Sequence, residues 1–348
     1  MNAAPRLLAG DRRVLAALLT LLALGEAVLA VLFAAALDRL LTHDGAPMLP
    51  LLAAGGIAAM AGIALMLGRW LGEDFAQGFV TDCRAALFAA VTRHPGEGGD
   101  ARWLTVLIND MAALRNYALR GTVRLWTSVT AAGAAGVWVF ASMPYLRPAL
   151  VPLVAGAGVI LLLVWPLSRA ITTQRRERGK INRFLVRRVR AELAGEANPN
   201  RHGFRKLTML SDDLARAAVR RAASAGAMDA AATLAGLLAA LVLVWQAMAG
   251  LEGGVQGVTS LAGSLTLLGF IAARLLESAR ALHARIGGRI ALERLEKLLE
   301  PETKSPRRPI RRPVRRTPLQ WAARLLGVRL ALPPPDADPR AAKEECQS

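Results

Sequence analysis

The chain has 348 residues, a formal net charge of +18, 54% hydrophobic residues and only 5% aromatic ones. That balance points to a membrane protein rather than a water-soluble domain. The charge does not make it a nucleic-acid binder, because the basic residues lie almost entirely on one side of the apolar segments.

A bilayer core of roughly 30 Å needs about 20 apolar residues in a helix. Residues 14–37, 48–70, 123–143, 149–168, 228–249 and 258–273 meet that requirement. The first segment follows Arg6, Arg12 and Arg13 and ends on Ala34, Ala35 and Ala36, a pattern close to a signal peptide. It is longer than the about 7 to 15 residues of a secretory apolar core, so it is expected to remain as a span. It carries Glu26 near mid-span, where a charge costs about 2.5 to 3.5 kcal/mol on insertion scales. Such a residue faces a cavity or a partner, and a substrate-cavity role, a buried pairing and a neutral Glu all stay open.

After the second span the chain becomes polar and Arg-rich without becoming a loop. Residues 72–93 keep Phe75, Phe79, Leu87 and Val91 at helical spacing. His94, Pro95 and Gly96 through Asp100 then break the helix, since Pro removes a donor and the glycines allow reversal. From Trp103 the pattern resumes through Leu107, Met111, Leu114 and Ala118 into the third span. The second interval repeats the plan: residues 169–196 are helical and basic, Asn198, Pro199, His202 and Gly203 mark the break, and Phe204 onward returns with Leu207, Leu210 and Leu214. Neither interval has strand-like alternation or enough apolar residues for a separate cytosolic core. Four helices of about 40 to 50 residues result, roughly 60 to 75 Å long. Some 30 to 40 Å of each would project beyond a membrane core of about 30 Å.

The sixth helix also runs on, through Arg274 and Glu277 to Glu300, and stops at Pro301. Arg274 and Glu277 stand three residues apart near the inner membrane face and are expected to pair. Residues 301–318 form an Arg and Pro linker that cannot be helical. It either binds anionic lipid or is a solvated connector. Residues 319–348 hold one apolar patch and then an Ala, Pro and acid-rich end of disordered composition.

The short turns near residues 42–47, 144–148 and 251–257 hold almost no Lys or Arg, with Arg39 and Arg147 the nearest. Positive-inside asymmetry therefore places both termini and both long intervals in the cytoplasm of a multi-pass protein of the cell inner membrane. Cys83 and Cys346 both fall on that reducing side, and no disulfide or metal-ligand spacing is available. Trp70, Trp126 and Trp165 fall near the inner boundary, and Trp138 and Trp245 near the outer one, as an aromatic belt.

Six spans, two matched cytoplasmic hairpins and a sixth helix running into the cytoplasm resemble the type 1 membrane domain of ABC exporters, an all-α membrane fold with six transmembrane helices and long cytoplasmic helical extensions. Local sequence carries the likeness. Leu107-Ile-Asn-Asp110-Met-Ala-Ala-Leu114-Arg115 is similar to the family's motif on the return limb of the first hairpin. Ala291-Leu-Glu-Arg294-Leu-Glu-Lys-Leu298-Leu299 is similar to the stretch that ends the sixth helix. Ala273-Arg274-Leu-Leu276 is reminiscent of the branch that exports proteins and peptides. Glu192 and Gly195 match the second hairpin only loosely, and Glu277 stands where the family often has Pro. The likeness covers residues 1–300, followed by the linker and the tail.

The family's nucleotide-binding domain is missing: no Gly-x-x-x-x-Gly-Lys-Ser/Thr occurs, so no phosphate cradle is present. Residues 325–332 look either like the first strand of that lost domain or like an interfacial amphipathic helix. The resemblance implies coupling helices at His94, Pro95, Gly96 and Asp100 and at Asn198, Pro199, His202, Gly203 and Phe204, which would seat in a separate ATPase subunit. Asp110, Arg115, Glu192, Gly195 and Arg294 would be structural. The chain would bind no cofactor itself, would meet ATP only through that partner, and would pair as a homodimer or heterodimer within membrane lipid. No nucleophile, metal cluster or paired carboxylates suggest an enzyme. Two rival readings remain: a transport-inactive membrane interaction protein, and a truncated transporter product.

Overall fold

The computed structural model describes residues 5–42, 48–93, 111–194, 201–250 and 261–299, all within one compact unit, Met1–Glu302. Among them the chain is helical and holds no strand. We label the helices α1 (Arg12–Thr42), α2 (Met48–Arg93), α3 (Met111–Ser142), α4 (Arg147–Leu193), α5 (Arg201–Gly250) and α6 (Leu261–Leu299). All six are long and apolar enough to cross a membrane, with mean hydropathy of 1.3 to 2.4 over the best window of each.

Three of the four sequence-predicted long helices are present as continuous helix, while the limb expected from Trp103 to Asp110 lies outside the described residues. α2, α4 and α5 have 46, 47 and 50 residues, about 70 to 75 Å each. α4 runs through Pro152 and Pro166 without a break; each proline removes one backbone donor, a loss that neighbouring helices can offset in a membrane bundle. A single 3-10 turn, Pro144–Leu146, joins α3 to α4, so Arg147 and Pro148 belong to the helix rather than to the expected turn. The first break, residues 94–100, lies outside the described residues, as does Asp110. The second break is shorter than the sequence suggested, because α5 already begins at Arg201 and includes His202 and Gly203. Backbone donors in a first helical turn have no intrahelical partner anyway, so Gly203 costs little there.

Helix ends are paired in the up-and-down order expected of short turns. At the short-turn end the Gly263 amide donates to Asp38 Oδ1 at 3.1 Å, and Tyr145 and Ser264 hydroxyls meet at 3.4 Å. At the opposite, hairpin end Arg12 pairs with Asp82 at 2.8 Å, lies over the Phe79 ring and donates to the Arg6 carbonyl. Gly10, at φ 57°, supplies the left-handed turn that folds residues 5–11 back onto this end.

Three apolar clusters fill the bundle. Near the short turns, Ala27, Val139, Leu146, Leu153, Leu243 and Leu267 join α1, α3, α4, α5 and α6. Ile160, Leu167, Ile171, Met228 and Ala279 join α4, α5 and α6. At the hairpin end, Phe79, Cys83, Leu87, Leu114 and Leu295 join α2, α3 and α6. Cys83 is fully buried, and burial pushes its thiol up to about 12 although Arg12 acts the other way, so it is a packing residue and not a reactive one. The lipid-level half of α2 contributes little to these clusters: between residues 48 and 70 only Ala54 and Ala64 are buried. It packs on α1 and stands away from the rest, and the space this leaves is the candidate site.

Candidate functional site

A cavity of about 320 Å³ opens between α1, α2, α3 and α6. It sits where the apolar windows give way to the Arg-rich extensions. Glu26 reaches it from α1; Gly68, Arg69 and Glu73 from α2; Arg120, Arg124 and Thr127 from α3; Arg274 and Glu277 from α6. Its remaining walls include Leu19, Leu22, Leu65 and Val123.

Its floor is an ion cluster. Arg274 pairs with Glu26 and, at 2.8 Å, with Glu277. Ser128 donates to the same Glu277 carboxylate at 3.1 Å. Arg274 and Glu26 keep only 13% and 11% of their side chains exposed, and the Arg274 guanidinium also lies over the Phe270 ring. Two carboxylates thus share one cation in a low-dielectric setting where each ion needs its partner. The expected pairing of Arg274 with Glu277 is therefore present, and Glu26 is ion-paired to Arg274 and lines the cavity.

Nearer the hairpin end, Arg115 grips Glu73 through two hydrogen bonds of 2.8 Å, a bidentate fork that ties α3 to α2. Between Arg115 and the cavity floor, Tyr117–Val123 is a π-helical stretch. The widened turn is accompanied by close contacts between α3 and α6: a Cβ on Gly121 would lie 2.7 Å from Arg285 Cα, and one on Gly288 would lie 2.9 Å from Tyr117 Cα. Two glycines, one on each helix, let α3 and α6 touch backbone to backbone.

A second polar contact binds α4, α5 and α6. Arg221 reaches His283 Nε2 at 3.0 Å and Gln174 Oε1 at 2.9 Å, while Arg175 donates to the Gly287 carbonyl. An arginine can only donate, so His283 Nε2 is the unprotonated acceptor.

Of the other sequence-predicted positions, His94, Pro95, Gly96, Asp100, Asn198, Pro199 and Gly195 lie outside the described residues. Glu192 and His202 lie in α4 and α5, with side chains outside the description. Phe204 is 77% exposed in the first turns of α5. Arg294 is exposed on α6, beside the buried Ala291 and Leu295. The five tryptophans of the expected belt, Trp70, Trp126, Trp138, Trp165 and Trp245, are all exposed on the outside of the bundle.

Sequence reasoning passed over Arg69, Glu73, Arg120, Arg124 and Ser128. Their only signal is position: they stand at the junctions between spans and extensions, and Arg120 and Arg124 are one helical turn apart. The cavity lining among the described residues is apolar and charged, with Thr127 contributing a hydroxyl. Compared with known proteins, the chain matches no protein-family model and no curated protein.

Proposed function

We propose that this chain is the membrane-spanning subunit of an ABC-type exporter, paired as a homodimer or heterodimer and driven by a nucleotide-binding ATPase on another chain. The observation that carries the reading is surplus helix: α2, α4 and α5 run about 70 to 75 Å against a bilayer core of roughly 30 Å. A helix satisfies its own backbone hydrogen bonds and carries displacement along its length, so the surplus acts as a lever. Positive-inside asymmetry puts the lever tips in the cytoplasm, at the inner membrane. The tip of the second hairpin carries Leu193 and Phe204, 83% and 77% exposed, as an apolar contact for the motor. The reading also assigns a motor contact to the stretch around Pro95 and Gly96, which lies outside the described residues. Without a phosphate-binding loop of its own, the chain takes the energy of ATP only through that partner.

The test is co-purification. The tagged full chain, extracted from its own membranes in mild detergent, is expected to retain a P-loop ATPase and to lose it when Pro95, Gly96, Pro199 and Phe204 are replaced together. Retention unaffected by those replacements, or recovery of no P-loop protein, would sink the proposal and favour a transport-inactive membrane protein.

A further inference from the structure

The ion-lined cavity has a mouth as well as a floor, and the two differ in charge. On the floor Arg274 is engaged by Glu26 and Glu277, and beside it Glu73 is engaged by Arg115. The remaining charged residues of the lining are Arg69, Arg120 and Arg124. All three are exposed, and none of their side chains has an ion-pair or hydrogen-bond partner among the described residues. With these three guanidiniums the lining holds four arginines against three glutamates, and the three at the opening, outside the ion pairs of the floor, favour an anion there.

The cavity also has an apolar neighbour. A second hollow of about 120 Å³ shares Leu19, Val123 and Thr127 with it. That hollow is lined otherwise by Leu7, Leu8, Phe75 and Trp126, along with Ala16 and Thr122. It lies between the folded-back N-terminal segment, α1, α2 and α3, and is almost wholly apolar. Polar mouth and apolar side chamber therefore adjoin at the level where spans become extensions, which is the level of lipid headgroups. The π-helical turn belongs to this arrangement, since Leu119, Arg120 and Val123 all come from it, and π turns gather at functional sites.

We infer that the two adjoining cavities form a binding site for an anionic amphiphile, with its phosphate held by Arg69, Arg120 and Arg124 and an acyl segment lodged beside Leu19, Phe75 and Trp126. A free inorganic anion would use the arginines alone and leave the apolar chamber without a role. The inference concerns binding and does not rest on coupling to an ATPase.

The experiment is a lipid titration of the purified full chain in neutral maltoside detergent, read by native mass spectrometry. The probes are phosphatidylglycerol, phosphatidylcholine and inorganic phosphate. Phosphatidylglycerol is expected to bind in preference to phosphatidylcholine. Each arginine changed to Gln should weaken it about fivefold, and R69Q/R120Q/R124Q of the order of a hundredfold. The charge-matched control R176Q/R178Q/R190Q, on exposed positions of α4, should bind like the parent. Ala16→Phe, which fills the apolar chamber, should weaken phosphatidylglycerol without changing inorganic phosphate. Because the three mouth arginines are exposed and unpaired, their loss should leave the protein monodisperse on size exclusion. The inference is overturned if phosphatidylcholine binds equally well, if the control triple loses as much as the mouth triple, or if A16F binds phosphatidylglycerol like the parent.

Discussion

Replacing Arg274 by Met is expected to destabilise the bundle by about 3 kcal/mol or more, because removing one partner from a buried ion cluster strands the others. Glu26 keeps 11% and Glu277 34% of its side chain exposed, so Glu26, the deeper group, accounts for most of the loss. The readout is the thermal midpoint of the folded, monodisperse fraction in detergent. The cluster also makes a sharper claim than simple importance. Apolar replacement of a whole buried ion group is often neutral or stabilising, so E26L/R274M/E277L should recover most of what R274M loses. A triple variant no more stable than R274M, or an R274M protein as stable as the parent, would show that the three groups do not act as a unit.

The second large effect is expected at the contact between α3 and α6. A side chain on Gly121 meets the backbone of Arg285, with Cα 2.7 Å and N 2.9 Å from the new Cβ. Backbone cannot rotate aside as a flexible side chain can. Gly121→Leu must therefore push α3 from α6, at the about 1–3 kcal/mol typical of overpacking or somewhat more. Gly179 on α4 is the control, because a Cβ there meets nothing within 4 Å. Gly179→Ala should move the midpoint slightly upward, as expected for removing a glycine from an exposed helix, up to about 1 kcal/mol. Equal losses at the two positions would mean that glycine content rather than the close approach is what matters.

What the sequence disclosed follows from how local each feature is. Six helices and their overlong extensions were legible because apolar runs and helical spacing are properties of contiguous residues. The pairing of Arg274 with Glu277 was legible for the same reason, since three residues along a helix fix the distance. Its pairing with Glu26 was not, because 248 residues separate the partners and nothing local sets the relative register of α1 and α6. The cavity mouth was hidden similarly. Arg69, Arg120 and Arg124 come from two helices and look individually like basic residues marking the end of a span. The π-helical turn escaped because Tyr117–Val123 contains no Pro and only one Gly to announce it; its position coincides with the packing of Gly121 and Tyr117 on α6. The start of α5 was placed three residues late because Gly203 was weighed as a helix breaker, which it is not in a first turn.

Coupling to an external motor is tested most directly at the hairpin tips themselves. A photo-crosslinking amino acid placed at position 96 or at position 203 of the full chain, activated in intact cells, should capture a P-loop ATPase at both sites, whereas the same probe at position 145 in the turn between α3 and α4 should not. Capture at the tips of only lipid or further copies of this chain, or ATPase capture at position 145 in place of the tips, would contradict it.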